Sequence, residues 1–210
     1  MIVWFVVFLL LLVLNYKNNR RWLKITMLLL FLIVACRNLY MGMYDTWMVY
    51  KPFYDEMQGA SLNWVYETHK DKDVVFYLLT WVYRQFTDNF QIYLALCAFP
   101  IFHSTYLLIK KYSVNYALSI ILFLTVCQFW TTFSGIRHCL ALGFVTYAIL
   151  YNGKRPFLFK TILILIASCF HISALIALAI PFVHLIKLSN RFIFFSIPSF
   201  MALVILTKNT

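Results

Sequence analysis

Apolar residues run in blocks along this chain, at positions 1–14, 22–36, 74–86, 90–109, 114–133, 136–151, 157–186 and 192–206. Short polar connections rich in lysine and arginine separate most of them. A helix needs about 20 apolar residues to cross the hydrocarbon of a bilayer. Several blocks fall short, so they borrow flanking residues or line a thinner, protein-filled region. The 157–186 block is too long for one upright span. It reads either as two short helices that turn near residues 169–171 or as one helix kinked by Pro181. The pattern predicts an all-α, polytopic transmembrane helical bundle of about seven to eight membrane helices. Residues 1–210 form a single integral membrane domain in this reading.

One stretch, residues 37–73, does not read as membrane. It holds six of the seven acidic residues, Asp45, Asp55, Glu56, Glu67, Asp71 and Asp73, the seventh being Asp88. Gly42, Pro52 and Gly59 break any long helix there. A connection of this length usually carries function.

Positively charged loops stay in the cytoplasm, and this orients the blocks. Lys17, Arg20, Arg21 and Lys24 hold the first connection inside, so the second span exits and the acidic loop lies outside. If the 74–86 block crossed, the later clusters Lys110–Lys111 and Lys154–Arg155–Lys160 would break the rule. The block is short and carries Arg84 near its end, which suits an interfacial or re-entrant helix. The 90–109 span then runs inward, and 114–133 runs outward to the turn Ser134-Gly135-Ile136-Arg137-His138. The 136–151 span returns to the basic turn 152–156, and the next helix reaches His171 after about 21 Å at 1.5 Å per residue. Arg37, the acidic loop, Arg137 and His171 therefore gather at one face.

Composition agrees. Hydrophobic residues make up 63% and charged residues 12% of the chain, against about 25% charged in soluble domains. The net charge of +11 could signal nucleic acid, but the cations sit between apolar blocks, where membrane topology calls for them. No nucleic-acid partner is expected. The five cysteines lie in apolar blocks without CxxC spacing and read as packed thiols. The 1–14 block lacks a basic n-region and a small-residue cleavage site, so it reads as a retained span. No phosphate loop, GxSxG elbow or zinc spacing occurs, and no metal or cofactor is expected.

Arg137, between two apolar blocks, is the first candidate. A membrane arginine is costly and usually faces a cavity with a partner, and a guanidinium binds phosphate in a bidentate fork. The plain alternative is an arginine that reaches to headgroups. His171, in Ser-Cys-Phe-His-Ile-Ser-Ala, can move a proton near neutral pH or can be a packed histidine. His138, His103 and His184 read as structural. Asp45, in Gly-Met-Tyr-Asp-Thr, is a candidate base or hydroxyl anchor beside Arg37, or else a solvated acid. Asp73 and Glu67 carry the same two readings. The loop aromatics, Tyr50 among them, either stack on sugars or form an interface belt.

Taken in order, these residues resemble a known family. Arg37 ends a span. Gly42, Asp45, Thr46 and Tyr50 follow, then Asp73 before Val-Val-Phe-Tyr-Leu-Leu. SGIRHCLALGF comes next, and after a basic turn LIASCFHISALI. The arrangement is similar to the EpsG-like, Wzy-type polysaccharide polymerases of bacterial envelopes, over residues from about 30 to 180. The resemblance implies an inner-membrane, multi-pass enzyme that joins oligosaccharide repeat units carried on undecaprenyl diphosphate at the outer membrane face. It implies that Arg137 holds a diphosphate or sugar acid, that Arg37 assists, and that Asp45 or His171 deprotonates the accepting hydroxyl. His138, Tyr50 and Asp73 fall to substrate binding, and a chain-length regulator is a candidate partner. The family commonly has glutamine where this chain has His138. It is also longer by several spans, which implies a short or truncated form here. The rival readings are a flippase of lipid-linked oligosaccharide and a membrane acyltransferase that decorates the glycan.

Overall fold

Several helices begin at a polar side chain that folds back onto the helix's own amides, as an N-cap should. Asn19 accepts from the Arg21 N–H at 2.8 Å, Ser61 from Trp64 at 3.2 Å, and Asn115 from Leu118 at 3.1 Å. Asn89 accepts from both Gln91 and Ile92, at 3.0 and 3.2 Å. The computed structural model describes residues 9, 13, 15, 17–37, 45–70, 73–126 and 128–183. Over these the order is α1 (Arg20–Ala35), a π-helical turn (Thr46–Tyr50), α2 (Lys51–Glu56), α3 (Leu62–His69), α4 (Val74–Phe86), α5 (Phe90–Tyr112) and α6 (Tyr116–Thr125). Then come α7 (Gln128–Ser134), α8 (Ile136–Leu150), α9 (Pro156–Phe170), a 3-10 helix (Ile172–Ala179) and α10 (Ile180–Val183). The architecture is all-α, with no strand among the described residues. The predicted 192–206 block, most of the 1–14 block, Gly42, Asp71, Cys127 and His184 lie outside the described residues. The chain divides into two units, Met1–Leu178 and Ala179–Thr210. Of the second, only its first residues, with α10, are described.

Three predicted elements differ from the pattern. The 114–133 block is two helices, α6 and α7, whose axes differ by 45°; α6 closes where the Val126 N–H bonds the Leu122 carbonyl at 2.9 Å. The 157–186 block breaks at His171, which is extended at φ −156°, ψ 113°, so the first of its two readings is the one observed. The 37–73 stretch is itself largely helical where described. Pro52 sits in the first turn of α2, where its missing N–H costs nothing. Gly59 takes φ +76° in the turn that follows, a conformation open to glycine.

The core of the first unit forms around α5. On α1, Leu23, Met27, Leu30 and Val34 are buried at three- and four-residue spacing and pack with Ala98, Ile101 and Phe102 of α5 and with Ile120 and Phe129. The opposite face of α1 is apolar as well: Trp22, Ile25, Leu28, Leu29 and Leu32 are exposed. A helix in water would be polar on that side. On its other flank α5 meets α8 so closely that a Cβ on Gly143 would lie 2.7 Å from the Ile101 nitrogen and from the Pro100 carbonyl carbon. Such small-residue contacts let helices pack where apolar area alone drives nothing, as in lipid.

The helix ends sort into two polar layers. At one, the Gln91 side chain donates to the Arg37 carbonyl at 2.9 Å and Thr46 Oγ1 donates to the Phe133 carbonyl. At the other, Asn18 donates to the Val114 carbonyl at 2.6 Å and accepts from the Tyr116 N–H at 2.7 Å, and Lys111 donates to the Leu150 carbonyl at 3.3 Å. The first layer adjoins the acidic stretch, and the second gathers the basic connections.

Among the described residues, α5 alone is long and apolar enough to cross a membrane, or two segments are if α6 and α7 together make one bent span. Helices α8 and α9 have 15 residues each, about 22 Å at 1.5 Å per residue, against a hydrocarbon core of about 30 Å. Seven to eight full-length spans are therefore not what the described helices present.

Replacing Gly143 by alanine puts a methyl group into backbone rather than into a movable side chain. A loss of about 1–3 kcal/mol is expected, read as a lower thermal midpoint of the detergent-solubilised protein. Gly135→Ala, whose Cβ would lie 3.4 Å from the Thr131 carbonyl, should lower it less.

Candidate functional site

Asp73 stands just before α4, where an aspartate ordinarily caps its own helix. It does not do so here. Its backbone is left-handed, at φ 34°, ψ 44°, an uncommon conformation that aspartate tolerates better than most residues, and its carboxylate turns toward two other elements. Arg137 Nη1 donates to Asp73 Oδ2 at 3.0 Å, His171 Nδ1 lies 3.3 Å from the same oxygen, and the Ile172 N–H donates to Oδ1 at 3.2 Å. The side chains are 10% exposed for Asp73, 26% for Arg137 and 32% for His171. One carboxylate thus ties the first turn of α8 to the residue at which α9 ends.

These contacts set the chemistry of each group. An ionised carboxylate only accepts, so the hydrogen bond from His171 places the proton on Nδ1 and leaves the lone pair of the neutral ring on Nε2. That is the tautomer a proton acceptor needs. The His138 ring meets His171 edge-on, with centroids 5.4 Å apart. The Arg137 guanidinium stands 5.7 Å from the centre of the Tyr77 ring and also interacts with the Tyr50 hydroxyl. Burial holds the Tyr50 phenol above its ordinary pKa, and the pull of Arg137 opposes that only in part. Tyr50 therefore stays a neutral hydroxyl at physiological pH.

Beside the cluster is a cavity of about 500 Å³ walled by Lys70, Asp73, Val75, Arg137, Ser168 and Cys169, among others. Two cationic side chains line it, Arg137 paired with Asp73 and Lys70 with Glu67 at 2.5 Å, and each keeps further N–H donors. Such a space takes an anionic group more readily than a cation. Among the described residues there is no grouping of histidine, cysteine and acids that could hold a metal ion.

Arg137, His171, Asp73, Tyr50 and His138, all singled out from sequence, meet here. Arg37 and Asp45 do not. Arg37 is buried; its Nη1 donates to the Val34 carbonyl at 3.0 Å and its Nη2 to Thr46 Oγ1 at 3.3 Å. Burial lowers its pKa to about 10, which leaves it charged at neutral pH. It pins the end of α1 to the turn before α2. Asp45 is exposed at the start of that turn. Sequence reasoning passed over Lys70 and Tyr77. Tyr77 lies four residues past Asp73, on the same face of a helix, and Lys70 lies in the charged run His-Lys-Asp-Lys-Asp before it, so both signals were within reach.

The fold and the site define an all-helical chain with outward-facing apolar surface, a membrane-capable helix, and a partly buried Asp–Arg–His cluster where helix ends converge. The chain belongs to the EpsG family, whose model matches residues 20–210. No curated protein and no solved structure matches it. Membership supports a role in polysaccharide biosynthesis in a membrane context.

Two kinds of substitution separate the parts of this end. Arg37→Ala removes bonds from Val34 and Thr46 and is expected to lower the thermal midpoint by several degrees, whereas Asp45→Ala, at an exposed position, should leave it nearly unchanged. Asp73→Asn keeps the tolerance for the left-handed backbone and loses the charge facing Arg137. It should cost less stability than Asp73→Val, which loses both.

Proposed function

We propose that this chain is a multi-pass protein that polymerises oligosaccharide repeat units carried on undecaprenyl diphosphate at the outer face of the inner membrane. The observation that carries the reading is the single Asp73 carboxylate, at the wall of a cavity that Arg137 also lines, holding both that guanidinium and the His171 imidazole. The pair supplies the two functions that glycosyl transfer from a lipid diphosphate needs: an acceptor for a proton and a counter-charge for the leaving group.

In the proposed step, a hydroxyl of the incoming lipid-linked unit attacks the anomeric carbon of the growing chain. The new C–O bond forms as the bond to the lipid diphosphate breaks, and the diphosphate leaves with the electron pair. His171 Nε2 takes the hydroxyl proton while Asp73 steadies the imidazolium through Nδ1. Arg137, which retains donors besides the one given to Asp73, faces the departing diphosphate. The sequence left the base open between Asp45 and His171; the partnership with Asp73 favours His171. Tyr50 and His138 fall to holding sugar, and a regulator of chain length is the partner that such an enzyme would meet. Arg37 serves the reading by fixing the turn that presents Tyr50.

Orientation follows the two polar layers, with the acidic layer outside and the basic one in the cytoplasm. Cysteines placed at Lys51 and Lys154 in a cysteine-free background should react with an impermeant maleimide from opposite sides of the membrane; reaction from one side only would sink this topology.

Arg137→Ala and His171→Ala should each reduce long surface glycan to single repeat units at unchanged protein level, His171→Ala by about a hundredfold or more in polymerisation rate. The banding pattern of surface polysaccharide reads this directly. Unaltered chain length in Arg137→Ala would remove the proposed centre. Loss of all glycan, single units included, would favour a flippase.

A further inference from the structure

A second space opens next to the charged cavity and has the opposite character. It is a groove of about 360 Å³ with Phe76, Tyr93, Leu140 and Phe170 at its floor and Leu79, Val82 and Leu96 at its rim. The floor residues are buried, while Leu79, Val82 and Leu96 are each 43–55% exposed, so the groove opens sideways rather than toward the helix ends. It offers no unsatisfied hydroxyl. The Tyr93 and Thr80 hydroxyls bond each other at 2.8 Å, Thr80 Oγ1 also donates to the Phe76 carbonyl at 2.9 Å, and the Tyr83 hydroxyl donates to the Asn89 carbonyl at 3.4 Å. A polar ligand would find nothing to bond there, and a hydrocarbon would lose nothing.

The two spaces have no lining residue in common, but neighbouring residues of the same three helices line them. On α4, Val75 lines the charged cavity and Phe76 the groove; in the last turn of α9, Cys169 lines the one and Phe170 the other. On α8, Leu140 of the groove lies less than one turn beyond Arg137 of the cavity. From Phe76 to Val82 the groove follows α4 for about 9 Å at 1.5 Å per residue. It reaches Phe86, 83% exposed, at the far end of that helix.

From this we infer that the cavity and groove form one bipartite site for an amphiphile, in which the groove along α4 takes the hydrocarbon chain of the same lipid diphosphate whose head lies at Arg137 and Lys70. The inference rests on the reading above and adds the tail site and Lys70 to it. Charge complementarity selects the occupant: the donors that Arg137 and Lys70 keep beyond their bonds to Asp73 and Glu67 favour an anionic head, and in a lipid diphosphate the chain begins at the very atom bonded to that head. Head and tail must therefore occupy neighbouring spaces of opposite polarity. A lipid of the surrounding bilayer would have no need of the cavity.

The test measures binding of undecaprenyl diphosphate to the full-length protein in phosphatidylcholine vesicles. Val82→Trp and Leu96→Trp would fill the groove from its rim, where side chains are exposed and folding is not at stake. Ile92→Trp, one turn earlier on α5 and also exposed, lies outside the groove and is the control. Each rim variant should weaken binding about tenfold, with Ile92→Trp within about twofold of wild type, and should shorten surface glycan in cells. Lys70→Gln should weaken binding of the diphosphate and not that of undecaprenol. Equal affinity in the rim variants and the control would overturn the tail site. So would displacement of the probe by an equal amount of phosphatidylglycerol, which would make the groove a general lipid contact. Failure here is separable from failure of the polymerase reading, since Arg137→Ala would still give single repeat units if only the groove were misassigned.

Discussion

The carboxylate of Asp73 is the constraint on which this end of the molecule depends. Three groups from two separate parts of the chain converge on it, and none has another comparable anion nearby in the described structure. The Ile172 amide begins a 3-10 helix, the His171 ring hangs where α9 stops, and the Arg137 side chain leaves the first turn of α8. Without the carboxylate, a guanidinium with only a quarter of its surface exposed would keep Tyr50 and Tyr77 as neighbours but lose its counter-charge. Burying such a charge unpaired is costly, so the helices would have to part to let water in. The acid holds the arrangement together by supplying the one negative charge at the point where a positive one is confined.

That Asp73 serves other elements has a local cost. Asn19, Ser61, Asn89 and Asn115 each cap the helix they precede. Asp73 forgoes this at a position where the bond contributes about 1 kcal/mol, and it adopts a left-handed backbone as well. Residues held against their local preferences cluster at functional sites. The same carboxylate also determines which nitrogen of His171 bears the proton, and so decides what the ring can do for a substrate.

Much of this was legible in the sequence, and the limits have physical causes. The sign of charge between apolar blocks carried the orientation, and the orientation alone brought His171, Arg137 and the acidic stretch to one face. The break at His171 was one of two readings of a block too long for a single span. What could not be read was which acid would reach the arginine. Asp45 and Asp73 look alike in one dimension, and the choice is made by a left-handed backbone angle that no composition signals. Arg37 illustrates the converse. Its position at the end of a span suggested substrate, but it is buried and bonds the Val34 carbonyl and Thr46, contacts that depend on how the following turn folds back. Helix lengths have a third cause: α8 and α9 are mostly apolar yet stop after 15 residues, because a basic turn bounds each of them at one end and the cluster at the other.

Shortness at these two helices has a consequence for the site. A helix that spanned the full hydrocarbon would carry Arg137 and His171 out to the headgroup layer, where water screens charge and competes for every donor. Helices of about 22 Å are shorter than a hydrocarbon core of about 30 Å, so in the proposed orientation the cluster lies below that layer. On the proposed reading, the attraction between that guanidinium and a diphosphate is stronger there than at an open surface, and the imidazole is screened less from its carboxylate. On the same reading, α4 offers a lipid-borne substrate charge beside Val75 and hydrocarbon beside Phe76, so that head and tail are both held within the thickness of one helix end.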